Sequence, residues 1–221
     1  MMVTLTTKKM LVLLSGSGSN LQAIIDKVHH TELNNQRIEI VAVLSNKADA
    51  YGLQRAQDAG IPSQVIISKG IAAREQYDTL LSTAIDQYQP DLIVMAGFMR
   101  ILSAQFINKY QGKMLNIHPS LLPKYQGLNT HQRAIDAGDS EHGASVHFVT
   151  EALDSGATVL QAKVPVFNED NAQDLAERIL TQEHLIYPLT VQWFLSGRLN
   201  MINNQAVLDG LILPVNGYAA D

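Results

Sequence analysis

The chain has 221 residues, 46% hydrophobic and 17% charged, which suits one large or two small globular domains with an ordinary core. It contains no cysteine, which excludes disulfides, thiolate metal sites and cysteine nucleophiles and fits a reducing cytoplasm. A net charge of −5 argues against a nucleic-acid partner, and no apolar run approaches the roughly 18 residues of a membrane span.

In chain order, the apolar runs at 9–15, 38–45, 64–67, 91–96 and 114–118 read as strands. Each is nearly continuous in Val, Ile, Leu and Met, as expected of parallel strands covered on both faces. The run Leu11-Val12-Leu13-Leu14 is too short for a signal peptide and reads as the first strand. Segments 21–28, 52–59, 72–87 and 104–110 show helical spacing, with Gly60-Ile61-Pro62 and Gln89-Pro90 as stops. This alternation predicts right-handed crossovers and a parallel sheet. From Gly143 the style changes. Residues 145–149 and 158–166 read as an antiparallel hairpin-like pair, 172–194 as a long amphipathic helix, and 206–213 around Asp209-Gly210 as a small closing hairpin. The expected fold is α/β, mostly a parallel twisted sheet, Rossmann-like in its N-terminal half, with helices on both faces. No linker or repeat divides the chain, so a single domain over 1–221 is expected.

Ser15-Gly16-Ser17-Gly18-Ser19-Asn20 follows the first strand and opens the first helix. Glycines admit an anion to the backbone, and a helix start offers free N–H groups. The loop lacks a Walker lysine, and Ser45-Asn46-Lys47 stands where a dinucleotide site would carry its acid. A single phosphate is therefore favoured over a dinucleotide, against the plainer reading of a capped turn. Asn116 and His118 lie two apart at a strand's carboxyl end, so they share a face where open α/β sheets bind ligands. Pro119 and Pro123 stiffen the loop that follows. A lone strand-end histidine is more often a satisfied core residue. The paired amide and a candidate acid, Asp154 in a Leu-Asp-Ser-Gly turn, point the other way, although a turn Asp is usually a turn-former. Residues 97–102 read as an apolar wall for a flat heteroaromatic ligand, and Arg74 as a surface cation or a carboxylate partner. His29 and His30 are not spaced as metal ligands; His142 and His147 could serve as ligands in principle, but the plainer reading is favoured and no metal site is expected.

Together these residues resemble the phosphoribosylglycinamide formyltransferases, folate-dependent enzymes of purine synthesis. The similarity spans 15–21, 45–50, 96–102, 115–125, 142–149, 160–166 and 181–189. His-Pro-Ser-Leu-Leu-Pro at 118–123 is shared by 10-formyltetrahydrofolate transferases and hydrolases in general, whereas the first loop, the chain length and Gln-Glu-His at 182–184 narrow the match. The resemblance implies a catalytic trio of Asn116, His118 and Asp154. It implies that Gly18, Ser19 and Asn20 hold the phosphate of glycinamide ribonucleotide, with Leu180, Thr181, Gln182 and Glu183 by the ribose end. Arg74, Met99, Arg100, Ile101, Leu102, Asn116, Thr150, Glu151, Ala152, Leu153 and Asp154 would line the site of the co-substrate 10-formyltetrahydrofolate, Arg74 meeting its glutamate carboxylate. Residues from about 1 to 100 would form a nucleotide-binding half and from about 101 to 221 a catalytic and folate half. The partners implied are small molecules, with no nucleic acid or membrane, for a cytoplasmic monomer or homodimer. Ser17, Gln126 and Asn129 depart from many relatives, which carry Asn, Pro and His there; none of these changes touches the trio. The competing readings are another formyl transferase or hydrolase on the same scaffold, and a non-catalytic mononucleotide- or NAD-binding module that makes no use of Asn116 or His118.

Overall fold

Met10 to Leu14 are wholly buried, as befits an apolar strand inside a parallel sheet. They end β1 (Thr6–Leu14), the central strand of a computed structural model that describes residues 6–71 and 73–218. From β1 the chain passes through α1 (Ser19–Lys27) and a short β2 (Glu32–Leu33) to β3 (Gln36–Ser45), parallel to β1. It continues through α2 (Gly52–Asp58) to β4 (Ser63–Val65), parallel to β3. α3 (Arg74–Asp86) then returns it to the other side of β1, where β5 (Leu92–Met95) pairs in parallel. α4 (Ala104–Lys109) leads to β6 (Met114–His118), parallel to β5.

After α5 (Thr130–Asp136) the direction reverses. β7 (Glu141–Phe148) runs antiparallel to β6, and β8 (Thr158–Pro165) antiparallel to β7. The main sheet has the order β2-β3-β1-β5-β6-β7-β8, with β4 also on β3. After α6 (Ala172–Leu195), β9 (Leu199–Ile202), β10 (Gln205–Leu208) and β11 (Leu211–Ile212) form a separate antiparallel sheet. The crossovers leave β1 in opposite directions toward β3 and β5, so the switch point of the sheet lies between β1 and β5.

Strand alternation divides the core into two layers. Val12, Leu14, Val94, Leu115 and Ile117 pack on the side of α1 and α6. Leu11, Leu13, Ile93, Met95 and Met114 pack on the side of α3 and α4. On β6 this second face continues past Met114 to Asn116 and His118 by the period of two. The apolar layer therefore gives way to polar side chains at the carboxyl edge.

The expected elements are present with small changes of boundary. The run at 64–67 forms only a three-residue strand, and the helix expected from 72 is described from Arg74, Ala72 lying outside the described residues. The closing hairpin gains a third strand, β9. α5 was not anticipated: it is seven residues long and starts from Asn129 in the left-handed conformation (φ 58°).

α6 begins with a capping box. Asn171 Oδ1 accepts from the N–H groups of Gln173 and Asp174, and Asp174 Oδ2 accepts from the Asn171 N–H. The helix runs for 24 residues despite an internal Pro188. Proline lacks the N–H that would reach the carbonyl of His184, four residues back. Lys27 Nζ supplies that bond instead, at 2.8 Å, and so ties α1 to α6. One residue earlier, the buried Tyr187 hydroxyl lies 2.9 Å from the carbonyls of both Met95 and Leu115. It anchors α6 to the ends of β5 and β6, beside Asn116. Tyr187→Phe should therefore lower unfolding free energy by about 1 kcal/mol in urea titrations. Parental stability would mean the strand carbonyls lose nothing with the hydroxyl.

Candidate active site

Antiparallel pairing sets His147 of β7 directly opposite Asn116 and Ser145 opposite His118. Directly opposed residues share a face, so amide and imidazoles converge. His147 Nδ1 lies 2.9 Å from the Phe148 carbonyl, which only accepts, so that nitrogen carries a proton. Burial holds the His147 pKa down to about 4, so the ring is neutral and its Nε2 is an acceptor. Asn116 Nδ2 donates to it at 3.1 Å. This fixes the orientation of the Asn116 amide, and among the described residues the second N–H of the half-buried Asn116 has no partner.

Asp154 sits on the loop between β7 and β8 with a left-handed backbone, φ 48°. Its Oδ2 lies 3.4 Å from His118 Nδ1, and the two side chains are only 10% and 7% exposed. Gly127 N–H donates to the same oxygen at 3.0 Å. The other oxygen, Oδ1, stands 3.8 Å from His147 Nε2. That nitrogen is already an acceptor, so the separation is not an ion pair. His118 Nε2 faces the Tyr125 carbonyl at 2.9 Å, where it can only donate. Both ring nitrogens of His118 are therefore engaged, Nε2 by the Tyr125 carbonyl and Nδ1 by the Asp154 carboxyl group. The Nε2 edge of His118 is spent on Tyr125, and only the Nδ1 edge, shared with Asp154, is left for a ligand.

A cleft opens beside this cluster, lined by Met95, Arg100, Ile101, Leu102, Ile107, Asn116, His147, Val149, Thr150, Glu151, Leu153 and Asp154. Most of the residues expected around a folate are here. Glu151 bridges to Asn108 of α4 at 2.7 Å and so closes one end of the wall. Arg100 stacks over the Tyr77 ring at 4.2 Å. Met99 and Ala152 do not line the cleft; the Met99 side chain is exposed and its N–H donates to Ser15 Oγ. Arg74 is exposed at the start of α3, outside the cleft. It stands one turn before Tyr77 and Asp78, and Asp78 accepts from the Ser103 N–H at 2.6 Å. Its helix face therefore turns toward the cleft wall.

The first loop lies across the switch point. Ser15 N–H donates to the Gly97 carbonyl, joining the carboxyl ends of β1 and β5. Gly18 is the N-cap of α1, and among the described residues no side chain caps that helix, so its leading N–H groups stay open. Gly18 has a second duty that the sequence did not reveal. Its φ is +70°, and a Cβ there would stand 2.5 Å from Gly52 Cα, so close packing against α2 also requires glycine. Arg55 Nε donates to the Ser17 carbonyl and places a cation beside the loop.

Asn20 Nδ2 donates to Glu183 Oε2 at 2.7 Å, and both are buried. Burial pushes the Glu183 pKa up, and the Asn20 bond opposes the rise. Leu180 falls on the Glu183 face of α6. Thr181 is turned about 160° away by the helical repeat, is exposed, and bonds the Glu177 carbonyl. Gln182 lies between these directions. Sequence reasoning missed His147, Tyr125, Gly127 and Tyr187 as site residues. For His147 the signal was its period-two spacing from Ser145 on a strand able to pair with β6. Among the described residues no cluster of three or more His, Asp or Glu is arranged to hold a metal, and no helix is long and apolar enough to cross a membrane.

A family model described as formyl transferase matches residues 8–191, and the chain belongs to that family. Within it, the chain is 57% identical over 210 residues to the phosphoribosylglycinamide formyltransferase of Escherichia coli (strain K12), covering 95% of this chain and 98% of that protein. It is 52% identical to the Haemophilus influenzae protein of the same name, over 96% of this chain and 99% of that one. A solved phosphoribosylglycinamide formyltransferase from Coxiella burnetii superimposes with a TM-score of 0.88 at 48% identity, covering 96% of this chain and 98% of that one.

Two buried imidazoles give the site a pH signature. Burial holds both His147 and His142 down to about 4 in the folded protein, against an ordinary 6.5. The unfolded chain therefore takes up these protons first as pH falls. Their contribution to stability is complete above 6.5 and is lost on descent toward 4, at up to about 1.4 kcal/mol per pH unit for each ring. Urea unfolding across that interval should show the decline, and His147→Gln should make it shallower. A flat profile would contradict neutral, buried imidazoles.

Proposed function

We propose that this chain transfers the formyl group of 10-formyltetrahydrofolate to the amine of glycinamide ribonucleotide, giving formylglycinamide ribonucleotide and tetrahydrofolate in purine synthesis. The observation that carries the reading is the uncommitted Asn116 amide edge beside the His118–Asp154 pair, at the end of a cleft with an apolar wall. Family membership and the open start of α1 at the switch point support it. We read the whole chain as one domain whose loops after β1, β5 and β6 converge on the reaction.

In this reading the phosphate sits on the leading N–H groups of α1 at Gly18, Ser19 and Asn20, with Glu183 by the ribose. The folate's bicyclic ring enters between residues 100–102 and 149–154, with the formyl group on N10 outside that ring, and Arg74 meets the folate's carboxylate tail from outside the cleft. The amine forms a bond to the formyl carbon and charge gathers on the formyl oxygen. The free N–H of Asn116 donates to that oxygen, and His118 shares its Nδ1 proton with it. Each such donor contributes about 2.7–4 kcal/mol to the transition state. The bond from the carbon to N10 then breaks. The amine loses a proton and N10 gains one, Asp154 acting directly or through water. Apolar walls limit water, and hydrolysis is the competing reaction. No covalent enzyme intermediate and no metal enter the scheme.

Purified protein should therefore catalyse the transfer in the presence of EDTA, and complete loss restored by a divalent ion would overturn the metal-free scheme. Asp154→Asn and His118→Asn should each lower kcat by about 100-fold or more with little change in KM. Because the two act as a unit, the double variant should be little worse than the worse single one. Losses that multiply would make the residues independent and return Asp154 to a turn-forming role.

A further inference from the structure

Residues 125–127 touch both members of the His118–Asp154 pair. The Tyr125 carbonyl accepts from His118 Nε2, and the Gly127 N–H donates to Asp154 Oδ2. Between them, and contrary to the expectation that the Gln126 departure leaves the trio untouched, Gln126 Nε2 donates to the Asp154 carbonyl at 3.2 Å and to Ser155 Oγ at 2.8 Å. Arg133 on α5 fixes Gln126 from behind, with Nη1 donating to its carbonyl at 2.7 Å. We propose that Gln126 is a positioning residue: its side-chain amide clamps the turn carrying Asp154, so that the carboxylate meets His118 without serving as the turn's own anchor.

The remaining bonds around the turn support this. Ser155 N–H to the Ala152 carbonyl and Ser155 Oγ to the Leu153 carbonyl are internal to it and fix nothing relative to β6. Among the described residues, the other outside contacts of 153–155 fall on the Asp154 carboxylate itself, from Gly127 and the two histidines. Asp154 also holds a left-handed backbone that residues with a Cβ disfavour, and Leu153 is exposed. A turn of this kind relaxes unless it is tied. The amide suits the task because each of its two N–H groups finds one acceptor, a carbonyl and a hydroxyl oxygen. Gln126 is exposed, so its replacement does not disturb the core.

The inference rests on the assignment of Asp154 above. Its test is Gln126→Met, which keeps length and loses both donors, with Gln126→Ala as a second variant. Loss of the clamp should lower kcat by about three- to tenfold with each KM within about twofold. In an Asp154→Asn background the same substitution should cost nothing further, because the carboxylate it positions is gone. Amide exchange at Gly127 should accelerate, reporting the freed carboxylate without reference to activity. Parental kcat with parental Gly127 exchange would overturn the proposal, as would a loss that persists in full alongside Asp154→Asn. If the parent protein does not transfer formyl, the reading of the reaction fails, while the Gly127 exchange still decides whether Gln126 positions the turn.

Discussion

Met95, Asn116 and His147 stand side by side on β5, β6 and β7, and β6 is parallel to the first neighbour and antiparallel to the second. A parallel strand brings its neighbour's carboxyl end to the same edge of the sheet. An antiparallel strand runs back along β6, with Ser145 opposite His118 and His147 opposite Asn116. The change of direction at β6 therefore gathers side chains from distant parts of the chain onto one face. The loop that returns from β7 to β8 comes back to the same place and carries Asp154. Tyr187 holds the two parallel strands from beneath, with its hydroxyl between the carbonyls of Met95 and Leu115.

The polarity of this corner follows from what covers it. α3 and α4 pack over Leu11, Leu13, Ile93, Met95 and Met114. Beyond Met114 the same face passes to Asn116 and His118, where the next covering element is the segment from Pro119 to Asn129. That segment contributes backbone groups, the Tyr125 carbonyl and the Gly127 N–H, which satisfy a donor and an acceptor that burial would otherwise penalise. The two nearby rings divide their duties by environment. His147 is fully buried, neutral and spent on orienting Asn116, whereas His118 faces the Asp154 carboxyl group.

Much of this is visible in the residues. The period of two makes Asn116 and His118 neighbours on one face without any knowledge of the fold, and the apolar runs announce buried parallel strands. His147 was not legible because its role depends on pairing between 114–118 and 141–148, and antiparallel register leaves no mark within either segment. Gly18 was read as an approach route for an anion, but its contact with Gly52 lies across a loop and another helix. The helix at 130–136 is short and polar, so its apolar period is nearly absent. Pro188 falls inside the helix expected over 172–194, but the Lys27 contact that takes up the carbonyl its missing N–H leaves free comes from α1 and has no local signal. Local pattern thus finds elements and same-face pairs, while contacts made across elements decide which polar groups remain free.

The proposed reaction requires one oxygen to bind between the Asn116 amide and the Nδ1 edge of His118, with the anion held at the start of α1. A crystal structure with glycinamide ribonucleotide and a non-transferable folate analogue bearing a carbonyl at the formyl position tests it directly. The carbonyl oxygen should lie about 3 Å from Asn116 Nδ2 and within reach of His118 Nδ1. The phosphate should sit on the backbone of Gly18, Ser19 and Asn20. A phosphate bound away from α1, or a carbonyl oxygen turned away from Asn116 with His118 still closed on Tyr125 and Asp154, would contradict it.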